Sequence, residues 1–124
     1  MVNLKIKAKT IIFNERDIFK ILKGSKNKTA RGLNIDLEVG EVVKFAILYR
    51  PPFALAKIVN KQFIEDISQL KASEFKALGY KTKKDYLNEP FNLNKPSKAR
   101  FIYEFEIIEY DLKPYIESFN KKNE

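Results

Sequence analysis

The chain has 124 residues, 44% of them hydrophobic and 32% charged, enough for a single domain with its own core. It contains neither cysteine nor histidine, which excludes a disulfide framework, thiolate chemistry, Ser-His-Asp and Cys-His catalysis and the usual zinc sites. The formal net charge is +8, and residues 1–31 hold seven Lys and two Arg against Glu15 and Asp17, so the excess is concentrated near the N-terminus. Such a segment favours an anionic partner, most simply nucleic acid or a nucleotide; a solvated Lys-rich surface accounts for the charge equally well. No apolar run approaches the ~20 residues of a membrane span. The N-terminus alternates rather than forming an apolar signal core, so a cytoplasmic protein with no membrane partner is expected.

Residues 3–12 place Leu4, Ile6, Ala8 and Thr10 on one face and Lys5, Lys7 and Lys9 on the other, the period of a half-buried strand. Asn14 then offers an N-cap, with Asp17 three positions on. Ile18, Ile21 and Leu22, with Phe19 beside them, predict a helix over 15–23 that Gly24 stops. The stretch that follows is Gly24-Ser25-Lys26-Asn27-Lys28-Thr29-Ala30-Arg31. No apolar residue larger than Ala interrupts it, so it reads as a loop outside the core. A leading glycine, amines, a hydroxyl and a guanidinium within eight residues suit an anionic or carbonyl-bearing ligand.

Beyond Gly32, the alternation of Leu33, Ile35 and Leu37 with Asn34, Asp36 and Glu38 predicts a strand. Gly40-Glu41 predicts a turn into a largely buried strand over 42–49. Arg50-Pro51-Pro52 must be non-helical, and 53–59 resumes a strand. From 61 the period changes: Phe63, Ile64, Ile67, Leu70, Phe75 and Leu78 predict helix over 61–78, with Ser68 and Ser73 as candidate caps and Gly79 as the stop. Thr82 caps a short helix over 83–88, residues 88–98 form a loop, and 100–110 alternate as a strong strand. Pro114 opens a tail helix with Tyr115, Ile116 and Phe119, frayed over 120–124. The first and last long strands are expected to be antiparallel neighbours, the lysine row facing Glu104 and Glu106. The organisation is one domain over 1–112 with a tail over 113–124. The class is α+β, mainly β: a small curved sheet or barrel with helices at one end.

At Gly24-x-Lys26-x-x-Thr29-x-Arg31 the chain resembles the G-x-K-x-x-T-x-R signature of ASCH domains, members of the PUA-like β-barrel superfamily. The preceding helix, Gly40-Glu41, Gly79-Tyr80 before a short helix and the aromatic-rich last strand also sit where that family has such features. The resemblance covers roughly residues 10–110. It implies a PUA-like barrel with helices flanking a cleft lined by the motif, and RNA or nucleotide binding. It also implies an alternative, since some members look like small amidohydrolases acting on N4-acetylcytidine through a Lys, a Thr and a Glu. The family's Glu precedes the Gly-Tyr pair, where this chain has Leu78; Glu74, one helical turn earlier, is the nearest acid.

For binding, Lys26, Lys28 and Arg31 are the phosphate contacts and Thr29 a hydrogen-bonding hydroxyl behind Gly24. Tyr80 is the favoured stacking residue, ahead of Tyr49 and Phe53, whose strand positions suit a core; Arg50 is a candidate for the rim. For catalysis, neutral Lys26 would activate Thr29, with Glu74 as the carboxylate. A third alternative is a protein-interaction module using the Pro-Pro turn and the aromatic tail. No cofactor and no metal are expected.

Overall fold

The computed structural model describes residues 8–89 and 99–113. Five strands form one sheet: β1 (Thr10–Phe13), β2 (Lys28–Arg31), β3 (Val42–Ile47), β4 (Pro52–Ile64) and β5 (Arg100–Tyr110), in the order β1-β3-β4-β5-β2. β1 runs parallel to β3, and the other neighbours are antiparallel. Among the described residues three α-helices accompany the sheet: α1 (Glu15–Leu22), α2 (Ala72–Ala77) and α3 (Lys83–Leu87). This is a mostly-strand half-barrel with a few helices, in keeping with the small α+β barrel expected from the sequence.

Alternation along the strands separates two cores. On the inner face of the curled sheet, Phe13, Phe45, Phe53 and Phe105 pack with ring centroids 4.6–6.4 Å apart. Tilted and edge-on ring contacts of this kind favour one arrangement over a fluid core. On the outer face, Ile64 and Ile102 meet Ile67, Leu70, Phe75, Leu78 and Tyr86 from the helical segment. α1 and α3 start as their sequences suggest, whereas α2 starts after Lys71 with the candidate cap Ser73 inside it. The Asp17 carboxylate accepts the Asn14 N–H at the head of α1, and Thr82 Oγ1 accepts the Asp85 N–H at 3.2 Å at the head of α3.

Four expectations are corrected. β1 pairs with β3, and β5 lies between β4 and β2, so the first and last strands are not neighbours. Burial of Ile11 and Phe13 decides that pairing, and exposed charge rows contribute too little to compete. Lys5 and Lys7 lie outside the described residues, and the strand partners of Glu104 and Glu106 include Lys28 and Lys57. Second, residues 33–38 form no strand: Tyr103 Oη donates to the Ile35 carbonyl at 2.5 Å and accepts the Leu37 N–H at 2.9 Å, satisfying the backbone without a ladder. Third, β4 continues through Phe63 and Ile64, and the helix expected from 61 reduces to a short 3-10 turn at Ile67–Gln69 and to α2. Asp66 heads the 3-10 turn by accepting the Ser68 N–H, where Ser68 itself was the expected cap. Fourth, the basic stretch is not all loop and not all exposed, because its second half is β2 and Thr29 and Lys26 are buried. The tail beyond Lys113 and the 90–98 loop lie outside the described residues.

Candidate functional site

Among the described residues β1 and β2 are the two edges of the sheet, and no ladder joins them. The curl brings them together through side chains: the Arg31 guanidinium lies 4.8 Å over the Phe13 ring. A cleft of about 400 Å³ opens along this seam, a size suited to a small-molecule ligand. Asp17, Lys26, Thr29, Arg31, Tyr80 and Arg100 line it, over a floor that includes Phe13, Leu78 and Tyr86.

The spacing of the basic motif now has a geometric cause. Thr29 and Arg31 are two apart on β2, so they share the inner face, and Arg31 Nε donates to Thr29 Oγ1 at 3.0 Å. Lys28 and Ala30 take the opposite face. Ala30 packs against the outer core, and Lys28 Nζ lies 4.0 Å from Glu74 Oε2. Lys26 enters from the preceding turn and is only 6% exposed. Its Nζ donates to the Leu78 carbonyl at 2.5 Å.

That contact belongs to a larger clamp. α1 and the turn after it donate to three successive carbonyls at the end of α2: Asn27 N–H to Ala77, Lys26 Nζ to Leu78 and, from within α1, Lys20 Nζ to Gly79. These carbonyls have no helical partner of their own, and the cations also suit the negative end of the helix dipole. Gly79, at φ +98°, turns the chain there, and a Cβ on it would meet Lys26 Cδ at 3.3 Å. The close approach of backbone to lysine is thus permitted by a glycine.

Electrostatics in the cleft are set by burial. Burial lowers the Lys26 pKa to about 8; Asp17 opposes this, while Arg31, Lys20 and Arg16 reinforce it. Burial also lowers the Arg31 pKa, with Asp17 and Tyr80 acting against it. The Tyr80 hydroxyl is pushed up, first by burial and then by Glu89 beside it. Its ring sits 5.1 Å from Tyr86, with Lys20 Nζ 5.5 Å away. Arg100, at the start of β5, is buried and donates to Tyr86 Oη at 2.8 Å.

Of the residues singled out in the sequence, Lys26, Thr29, Arg31 and Tyr80 meet in the cleft. Gly24 is the left-handed residue after α1, at φ +77°, and Arg50 lies in the exposed turn between β3 and β4; neither lines the cleft. Phe53 is barrel core, and Tyr49 is 96% exposed at the same turn as Arg50. Glu74 does not line the cleft: one carboxylate oxygen accepts the Lys71 N–H, and the other, buried, has no hydrogen-bond partner among the described residues. The carboxylate that does line it is Asp17, visible in the sequence only as a capping residue. Arg100 and Tyr86 carried no local signal, because the pair forms only when β5 and α3 pack together. Among the described residues no group of three or more acidic side chains is arranged to hold a metal ion, and no helix is long and apolar enough to cross a membrane.

Solved structures with a similar backbone include the following two. One is an ASCH domain from Lactobacillus crispatus JV V101, with TM-score 0.66, 13% identity, 86% of this chain covered and 83% of that one. The fold is that of an ASCH domain. The other, a DUF984 protein from Enterococcus faecalis V583, has TM-score 0.64 and 15% identity over the same shares of the two chains. No protein-family model matches the sequence, and no curated protein matches it. The ASCH fold therefore rests on backbone similarity, and the motif residues occupy the seam of that barrel.

Proposed function

We propose that this ASCH-like domain binds a nucleotide, as a free molecule or as one unit of single-stranded RNA, in the seam between β1 and β2. The observation that carries this is the convergence of Lys26, Thr29, Arg31 and Arg100 with Tyr80 around a cleft of about 400 Å³. Phosphate takes the cations and the Thr29 hydroxyl, the base stacks against Tyr80, and Asp17 accepts from an exocyclic amino group or a ribose hydroxyl. Titration with cytidine monophosphate tests it. Lys26→Ala and Arg31→Ala should each weaken binding at least tenfold, and Lys57→Ala, on an exposed position of β4, should not. Equal losses in all three would reduce the interaction to diffuse charge.

A second function is favoured by one specific feature, a buried lysine with its pKa lowered to about 8 in the cleft that also holds Thr29 and Asp17. A lysine near neutrality is a competent general base for a hydroxyl nucleophile, and a carboxyl group can serve the leaving amine. As an amidohydrolase the domain would release acetate from N4-acetylcytidine through Lys26 and Thr29. Lys26→Ala and Thr29→Ala should then abolish release. Comparing Asp17→Asn with Glu74→Gln identifies which acid takes part. Wild-type protein that binds the nucleoside and releases no acetate over hours leaves binding as the function.

A further inference from the structure

Phe63, Phe101 and Arg31 lie directly opposite one another across β4, β5 and β2. Opposed residues in antiparallel strands share a face, so the three side chains form one row that ends in the cleft at Arg31. Phe63 and Phe101 have ring centroids 6.0 Å apart at 64°. Lys61 Nζ sits 4.4 Å from the Phe101 ring while pairing with Asp36. β3 pairs with β4 only as far as Lys57, so among the described residues no strand flanks this end of β4 on its other edge. Phe63 is accordingly 52% exposed beside a well-filled barrel.

A single exposed aromatic needs no explanation. This one shares a row with Arg31, which lines the cleft, stands two strand spacings or ~10 Å from the Arg31 strand, and is accompanied by cations at Lys61 and Arg31. Stacking surface interleaved with positive charge is the chemistry that holds unpaired bases along a phosphate backbone.

We propose that Phe63 is a second stacking subsite, and that it takes the base of the nucleotide adjoining the one in the cleft. The natural ligand is therefore a single-stranded oligonucleotide of at least two units. The subsite rests on nucleotide binding in the cleft, and it makes the row Phe63–Phe101–Arg31 the path along which the strand leaves the seam.

The chain has no tryptophan, so Phe63→Trp introduces a single tryptophan that can be excited selectively over the six tyrosines. A cytidine tetranucleotide should quench it, and cytidine monophosphate should not. Phe63→Ala should weaken the tetranucleotide roughly tenfold and leave the monophosphate unchanged, while Phe63→Tyr should restore binding. Equal affinities of wild-type protein for the two ligands, or equal effects of Phe63→Ala on both, would overturn the subsite while leaving the cleft intact. Quenching by the tetranucleotide that persists undiminished in Lys26→Ala and Arg31→Ala would overturn binding in the cleft and, with it, the place of Phe63 as the adjoining subsite. Absence of binding by either ligand would remove both.

Discussion

Burial sets the behaviour of Lys26 in opposite directions for stability and for binding. Its pKa falls from 10.5 to about 8 on folding, so between these values the unfolded chain holds the extra proton and stability rises with pH. Below about pH 8 the folded protein carries a buried ammonium at a cost of up to ~3 kcal/mol. Lys26→Met removes that group. Urea unfolding at pH 7 and pH 10 should show wild type gaining on the variant as pH rises; parallel curves would contradict the assignment. Affinity for an anion should move the other way and decline above about pH 8, where the ammonium is lost. The sequence revealed Lys26, Thr29 and Arg31 because their spacing repeats a known pattern. It concealed Asp17, because a carboxylate in the first turn of a helix has a sufficient local explanation in capping. Whether such a group also faces a cleft depends on what packs across from it, and no local window carries that.

At the scale of elements, the end of α2 and the turn after α1 hold each other. Gly79→Ala would force alanine to φ +98° and press its Cβ on Lys26, so a loss of about 1–3 kcal/mol in chemical denaturation is expected, with weaker nucleotide binding from the displaced amine. Residues 33–38 depend on one phenol. Tyr103→Phe leaves the Ile35 carbonyl and Leu37 N–H without that partner and should cost about 1–3 kcal/mol. The loss should appear as faster amide exchange at Leu37. Elements with self-contained signals were legible: capped α1 and α3, the alternating β5, the punctuation at Gly24 and Gly79. β2 was not, since Lys28, Thr29 and Arg31 have no apolar alternation and become strand only by pairing with β5. Phe63 and Ile64 fit a helical period and a strand equally well, and the ladder to Phe101 and Arg100 decides between them.

For the molecule as a whole, charge sets the response to salt. With the cleft cations together neutralising one phosphate, log affinity for a single strand should fall against log salt with a slope near −0.7. Lys26→Ala should flatten that slope, and Lys57→Ala should leave it unchanged. The open seam has a mechanical consequence of its own. Since β1 and β2 share no ladder, whatever occupies the space between them serves as a cross-link that closes the cylinder. Opening the seam in the free protein breaks side-chain contacts and no backbone pairing, so the edge strands should exchange their amides through small local excursions, well before β4 and β5 do. A ligand gripping both walls must be released before the cylinder can part. Its protection should therefore be concentrated on β1 and β2, leaving the central strands to exchange at the pace of global unfolding.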